Sequence, residues 1–126
     1  MSKSKYVDGF LLVVPKEKLS EYKKMAKYGE RVWRKHGCLD YKECVGDDMY
    51  PSMEGMPSLI FPKLAKAKDG EVIIFSYITY KSKSHRDSVN KKVMEEMSKK
   101  MEKEGEKAMP WDMKRFSYGG FKVIVG

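Results

Sequence analysis

Apolar and polar positions follow two rhythms along this chain, and the changes between them mark six elements. The run from Tyr6 to Val14 is β-branched and aromatic, is closed by Pro15, and has the length and pattern of a strand buried on two faces. From Lys16 to His36, Leu19, Tyr22, Ala26, Gly29 and Trp33 recur at alternating spacings of three and four, with Gly37 following as a stop, which predicts a helix. Leu39 to Val45 alternates every second residue before the turn signal Gly46-Asp47-Asp48, as a half-buried strand does. Glu71 to Tyr80 is the strongest strand signal, apolar on both faces, and is expected centrally in a sheet. Ser84 and Asp87 resemble a capping box opening a second helix, whose apolar stripe is Val93, Met94, Met97 and Met101 and whose end is bracketed by Gly105 and Pro110. Alternation from Lys114 to Val125 gives a last strand, with a bulge or close backbone approach expected at Gly119-Gly120.

The order βαββαβ, with right-handed crossovers, folds most simply as an α+β ferredoxin-like sandwich: a four-stranded antiparallel sheet with both helices on one face. Its first and third strands are greasy on both sides, so the face away from the helices must also be covered. An identical subunit is the simplest cover, which predicts a homodimer with sheets packed face to face, the dimeric α+β barrel. Residues 48–70 form a connection too long and too apolar for a solvated loop, with Met49, Tyr50, Met53, Met56, Leu59, Ile60 and Phe61 set among three prolines. It is expected to cover a pocket or a second subunit. Ten methionines, many of them in this segment and the second helix, suit irregular packing or an adaptable ligand surface.

The 126 residues suffice for one domain, 1–126, and 41% apolar with 35% charged residues excludes collagen-like and disordered classes. The longest apolar run, Phe10 to Val14, is far below the roughly 18 residues of a membrane span, and no hydrophobic signal region opens the chain, which predicts a cytoplasmic protein. Cys38 and Cys44 read as free thiols, too few for a disulfide framework or zinc site. The net charge of +8 could serve a nucleic acid or an anionic small molecule, but only four of the 26 cations are Arg, and Lys spread over helices usually serves solvation.

Several segments then match a known pattern in order and separation: Tyr6-Val-Asp-Gly-Phe10, Val32-Trp-Arg-Lys-His-Gly37 running into Tyr41-Lys-Glu-Cys-Val-Gly-Asp-Asp48, and Arg86-Asp87 with Asn90. Met109-Pro-Trp-Asp-Met-Lys-Arg115 and Tyr118-Gly-Gly-Phe121 complete the set. Over nearly its whole length the chain resembles the YbaA-like family, a domain of unknown function. The resemblance implies the dimeric α+β barrel fold and no particular activity.

Candidate chemistry rests on polar residues set in apolar stripes. Asn90 lies at the centre of the second helix's stripe, where an unpaired amide would cost about 1–3 kcal/mol. It therefore either bonds a sheet or loop backbone group or orients a ligand. Arg86, one turn earlier, either clamps an anion or pairs with Asp87 or another carboxylate. Asp8 shares a strand face with Tyr6, Phe10 and Leu12, so it is ion-paired, to a cation such as Arg115, hydrogen-bonded, or raised in pKa, and it either serves the structure or transfers a proton or orients a ligand. Glu43 invites the same reasoning more weakly, as a residue at an exposed strand end. His36 suits the negative end of the first helix, and His85 a solvated helix start. No metal site, glycine-rich phosphate loop or nucleophilic triad is supported, and no cofactor is expected. Trp33, Trp111, Tyr118 and Phe121 suit a core or a pocket wall.

The first expectation is thus a homodimer binding a small organic molecule between helix and sheet, bordered by Asp8, Trp33, Arg86 and Asn90. As an enzyme it would be a cofactor-independent oxygenase or isomerase with Asp8 as base and Arg86 and Asn90 orienting the substrate. The rivals are an RNA-associated protein using Lys-rich helix surfaces, and a structural protein with a solid interior.

Overall fold

The computed structural model describes residues 4–50 and 59–126, so the expectations placed on Met53 and Met56 lie outside the described residues. Strand β1 spans Tyr6–Pro15, helix α1 Leu19–Lys35 after a single 3₁₀ turn, β2 Asp40–Val45, the short helix α2 Phe61–Leu64, β3 Glu71–Tyr80, α3 Lys83–Glu104 and β4 Ser117–Lys122. The four strands form one antiparallel sheet in the order β2-β3-β1-β4, with β3 and β1 as the inner pair.

Register decides which residues face the helices. Asp8 lies opposite Ile78 and Leu12 opposite Ile74, so the even-numbered residues of β1 and β3 share one face. On that face Ile78, Tyr80 and Tyr41 pack with Val32 of α1 and Val89 and Val93 of α3, while Leu12, Val14 and Ile74 pack with Tyr22 of α1. Both long helices therefore cover the same side of the sheet.

The helix ends follow local chemistry. After α1, Gly37 takes φ 107°, a left-handed conformation that costs glycine least. Helix α3 starts two residues before the expected cap: Ser82 is its N-cap and its hydroxyl accepts from the His85 N–H. Its buried line runs through Val89 and Val93, and Met94 and Met101, expected in the stripe, lie half exposed on its rim. The last strand is shorter than its alternation predicts, and its register with β1 runs unbroken from Tyr6 opposite Lys122 to Leu11 opposite Ser117. Of the two readings of the glycine pair, close approach is the one observed, since a Cβ on Gly120 would collide with the ring and hydroxyl of Tyr6.

The outer face is covered at one end by the chain itself. Ala65, following α2, packs on Val13 and Ile73 with Met49 and Ala67 alongside, so this part of the long connection lies on its own sheet. Further along, Phe75 remains 46% exposed and Phe121 62% exposed. On the helix-facing side, Tyr118 is also exposed rather than core, stacked on Phe10 with ring centroids 6.0 Å apart.

Candidate functional site

Between α3 and the sheet the fold assembles a polar cluster from four elements. Asp8, in the middle of an apolar strand, is 4% exposed. The first turns of α3 bring Arg86 over it, with one guanidinium nitrogen 3.2 Å from Asp8 Oδ1 and another donating to the Tyr6 hydroxyl at 3.2 Å. The guanidinium also lies 5.0 Å from the centre of the Tyr6 ring. Its buried Nε is 3.0 Å from Asp87 Oδ1 but is not aligned for a hydrogen bond. One turn on, the Asn90 side-chain carbonyl accepts from Trp33 Nε1 at 3.1 Å and from the Tyr80 hydroxyl at 3.2 Å, so its partners are side chains rather than sheet or loop backbone.

Burial pushes the Asp8 carboxyl above its ordinary range, against the opposing pull of Arg86 and the hydrogen-bonding side chains of Asn90 and Tyr80. The Tyr80 hydroxyl is driven upward by burial and by the Asp8 charge, so it remains a neutral donor. The cluster thus holds a carboxyl able to exchange a proton, a cation fixed against it, and neutral donors that orient both. It contains all four residues singled out from sequence, together with Tyr6 and Tyr80, to which the sequence assigns no role beyond membership of a strand.

Arg115 is not the partner of Asp8. Its guanidinium makes a forked pair with Glu71 at 2.7 and 2.8 Å and reaches Asp112 at 3.0 Å, at the opposite end of β1. The Glu71 carboxyl is lowered to about 2, chiefly by this bond. Glu43 is not a free strand end either, since it accepts from Tyr22 at 2.7 Å and from Tyr41 at 2.8 Å beneath α1. Here Gly29 is required, because a Cβ would come within 2.8 Å of the Tyr41 hydroxyl. His36 caps the end of α1 and contacts Glu96 of α3 at 2.8 Å. His85 is partly buried, and its Nδ1 accepts from the Lys81 N–H at 3.0 Å.

Two open clefts lie on the surface around the cluster. One follows the outer side of α3 past Met94 and Ser98. The other, about 540 Å³, opens where β1 begins and β3 and β4 end, and reaches Tyr6. Among the described residues no three His, Cys, Asp or Glu side chains gather as a metal-binding group, and no helix is long and apolar enough to cross a membrane. Cys38 is buried and Cys44 exposed, both as free thiols.

Comparison with known proteins returns the same pattern over most of the chain. Residues 5–113 match the family described as "Protein of unknown function (DUF1428)". The chain is 38% identical over 121 residues to "Uncharacterized protein YbaA" of Escherichia coli (strain K12), covering 96% of this chain and 97% of that one. The YbaA proteins of Escherichia coli O157:H7 and Shigella flexneri show the same identity and coverage. The chain belongs to the DUF1428 family.

Proposed function

We propose that this protein is a ferredoxin-like sandwich that pairs with a second copy as a dimeric α+β barrel, and that each copy binds a small organic molecule between helix and sheet at Asp8, Trp33, Arg86 and Asn90. The observation that carries the binding reading is the buried Asp8–Arg86 pair, set among Tyr6, Tyr80, Asn90 and Trp33 on the helix-facing side of the sheet. A purely apolar filling of that space would be at least as stable as a desolvated ion pair, so a polar cluster here suits recognition. Strand order β2-β3-β1-β4 with α1 and α3 on one face supports the sandwich. The outer face supports the pairing: Phe75 and Phe121 stay exposed beyond the part of that face that Ala65 and its neighbours cover.

Native mass spectrometry of the purified protein tests both parts. A dimer retaining a small adduct is expected, with the adduct lost from Asn90→Leu while the dimer persists. A bare monomer would overturn the reading. The upward-shifted Asp8 carboxyl favours a second reading, an isomerase in which Asp8 removes a proton from a substrate held by Arg86 and Asn90. If so, Asp8→Asn retains the adduct and abolishes its conversion; conversion that survives this change would exclude it.

A further inference from the structure

We propose that the cleft at the start of β1 is an anion site that takes the pyrophosphate group of a small phosphorylated ligand. The sheet register builds it. Tyr6 lies between Tyr80 on one side and Lys122 on the other, the Lys5 N–H bonds the Tyr80 carbonyl at 3.0 Å, and the Val123 N–H bonds the Lys5 carbonyl at 2.9 Å. Three strand ends are locked together in this way. They bring Lys5, Lys81 and Lys122, with Lys83 from the first turn of α3, around one opening of about 540 Å³.

No carboxylate lines this cleft, and none of its four ammonium groups belongs to an ion pair among the described residues. Elsewhere Lys35, Lys42 and Lys100 each meet a carboxylate. Four like charges gathered without a counter-charge repel one another, and a multiply charged anion relieves that repulsion. Flexible point charges suit the non-planar oxygens of linked phosphates. The start of α3 adds to the same field: Ser82, which lines the cleft, takes up the His85 N–H, and the remaining first-turn N–H groups lack acceptors within the helix. The volume exceeds that of a lone phosphate and leaves room for part of an attached organic group. Beyond Tyr6 stands Arg86, so a ligand anchored here would extend toward the proposed binding cluster.

The cleft meets that cluster at Tyr6, but none of its lysines belongs to the cluster, so the two readings can fail independently. The probe is inorganic pyrophosphate, titrated into the full chain and followed by backbone amide resonances. Shifts are expected to gather at residues 5–6, 81–84 and 122–123. The double variant Lys83→Glu/Lys122→Glu should weaken binding at least about tenfold. Lys91→Glu/Lys99→Glu, with the same net charge but on the other cleft of α3, should change it less than about twofold. Asn90→Leu should leave pyrophosphate binding unchanged. Equal weakening by the two double variants, or shifts scattered over all lysine-bearing surfaces as for a polyanion such as RNA, would overturn the proposal.

Discussion

Two carboxylates are held on the helix-facing side of this sheet, and they are held by opposite means. Asp8, on an inner strand, faces the guanidinium of Arg86. Glu43, on the edge strand β2, faces only two tyrosine hydroxyls. Burial and the Glu43 charge raise both tyrosines far above their ordinary range, so they act as fixed neutral donors to Glu43. At Asp8 burial and Arg86 oppose each other, and burial has the larger effect. A carboxyl balanced in this way responds to a change in its surroundings, such as a bound ligand, whereas one tied by neutral donors serves to hold α1 on the sheet. That difference is why the proposed site centres on Asp8.

The contrast is broken most severely by Arg86→Met. It leaves the Asp8 anion buried without its cation, and loss of one partner of a buried pair costs about 3 kcal/mol near neutral pH. The loss should shrink in acid, where Asp8 takes up a proton instead. Urea melts at two pH values check this, and an equal loss at both would show that the pair is not what Arg86 contributes. Next in size is Gly120→Ala, expected to cost about 2 kcal/mol because the new Cβ must displace the Tyr6 ring that supports Arg86. Adding Tyr6→Ala should recover part of that loss, since the collision then has no partner.

Gly120 also explains why only part of the site was legible in the sequence. Asp8, Arg86 and Asn90 stand out as polar residues within apolar periodicity, and the fold brings them together. The cation expected for Asp8 was sought toward the closing strand, but the residue opposite Asp8 on β4 is Gly120, which has no side chain to offer. The partner therefore has to come from a helix. Tyr6 and Tyr80 carry no signal of their own, because an aromatic residue in a strand gives no sign of where its hydroxyl ends. Glu43 looked exposed because its two donors arrive from another helix turn and from its own strand, a meeting that depends on the space left by Gly29. Strand pairing, too, decides the four-lysine cleft, which local pattern cannot show.

On the Glu43 side, Glu43→Gln should cost about 1 kcal/mol, because the amide can accept from one tyrosine but presents a donor to the other. Thermal melts check it. A loss as large as that of Arg86→Met would mean that the fold leans on Glu43 as heavily as on the Asp8 pair and would erase the contrast with Asp8.

The smallest effect is the most discriminating. The folded-state pKa of Asp8 lies above its ordinary 3.8, so between that value and the raised one the native protein holds a proton that the unfolded chain has released. Stability contributed by this group is fully present below about pH 3.8 and is lost as pH rises through the folded pKa. Asp40, Glu71, Glu96 and Asp112 act in the opposite sense, since their lowered pKa values remove stability as pH falls. Subtracting the pH profile of Asp8→Asn from that of the native protein cancels those four and leaves the Asp8 contribution, a decline with rising pH. A difference profile that rose with pH would mean that Arg86 outweighs burial, leaving Asp8 as firmly ionised in the fold as any surface carboxylate.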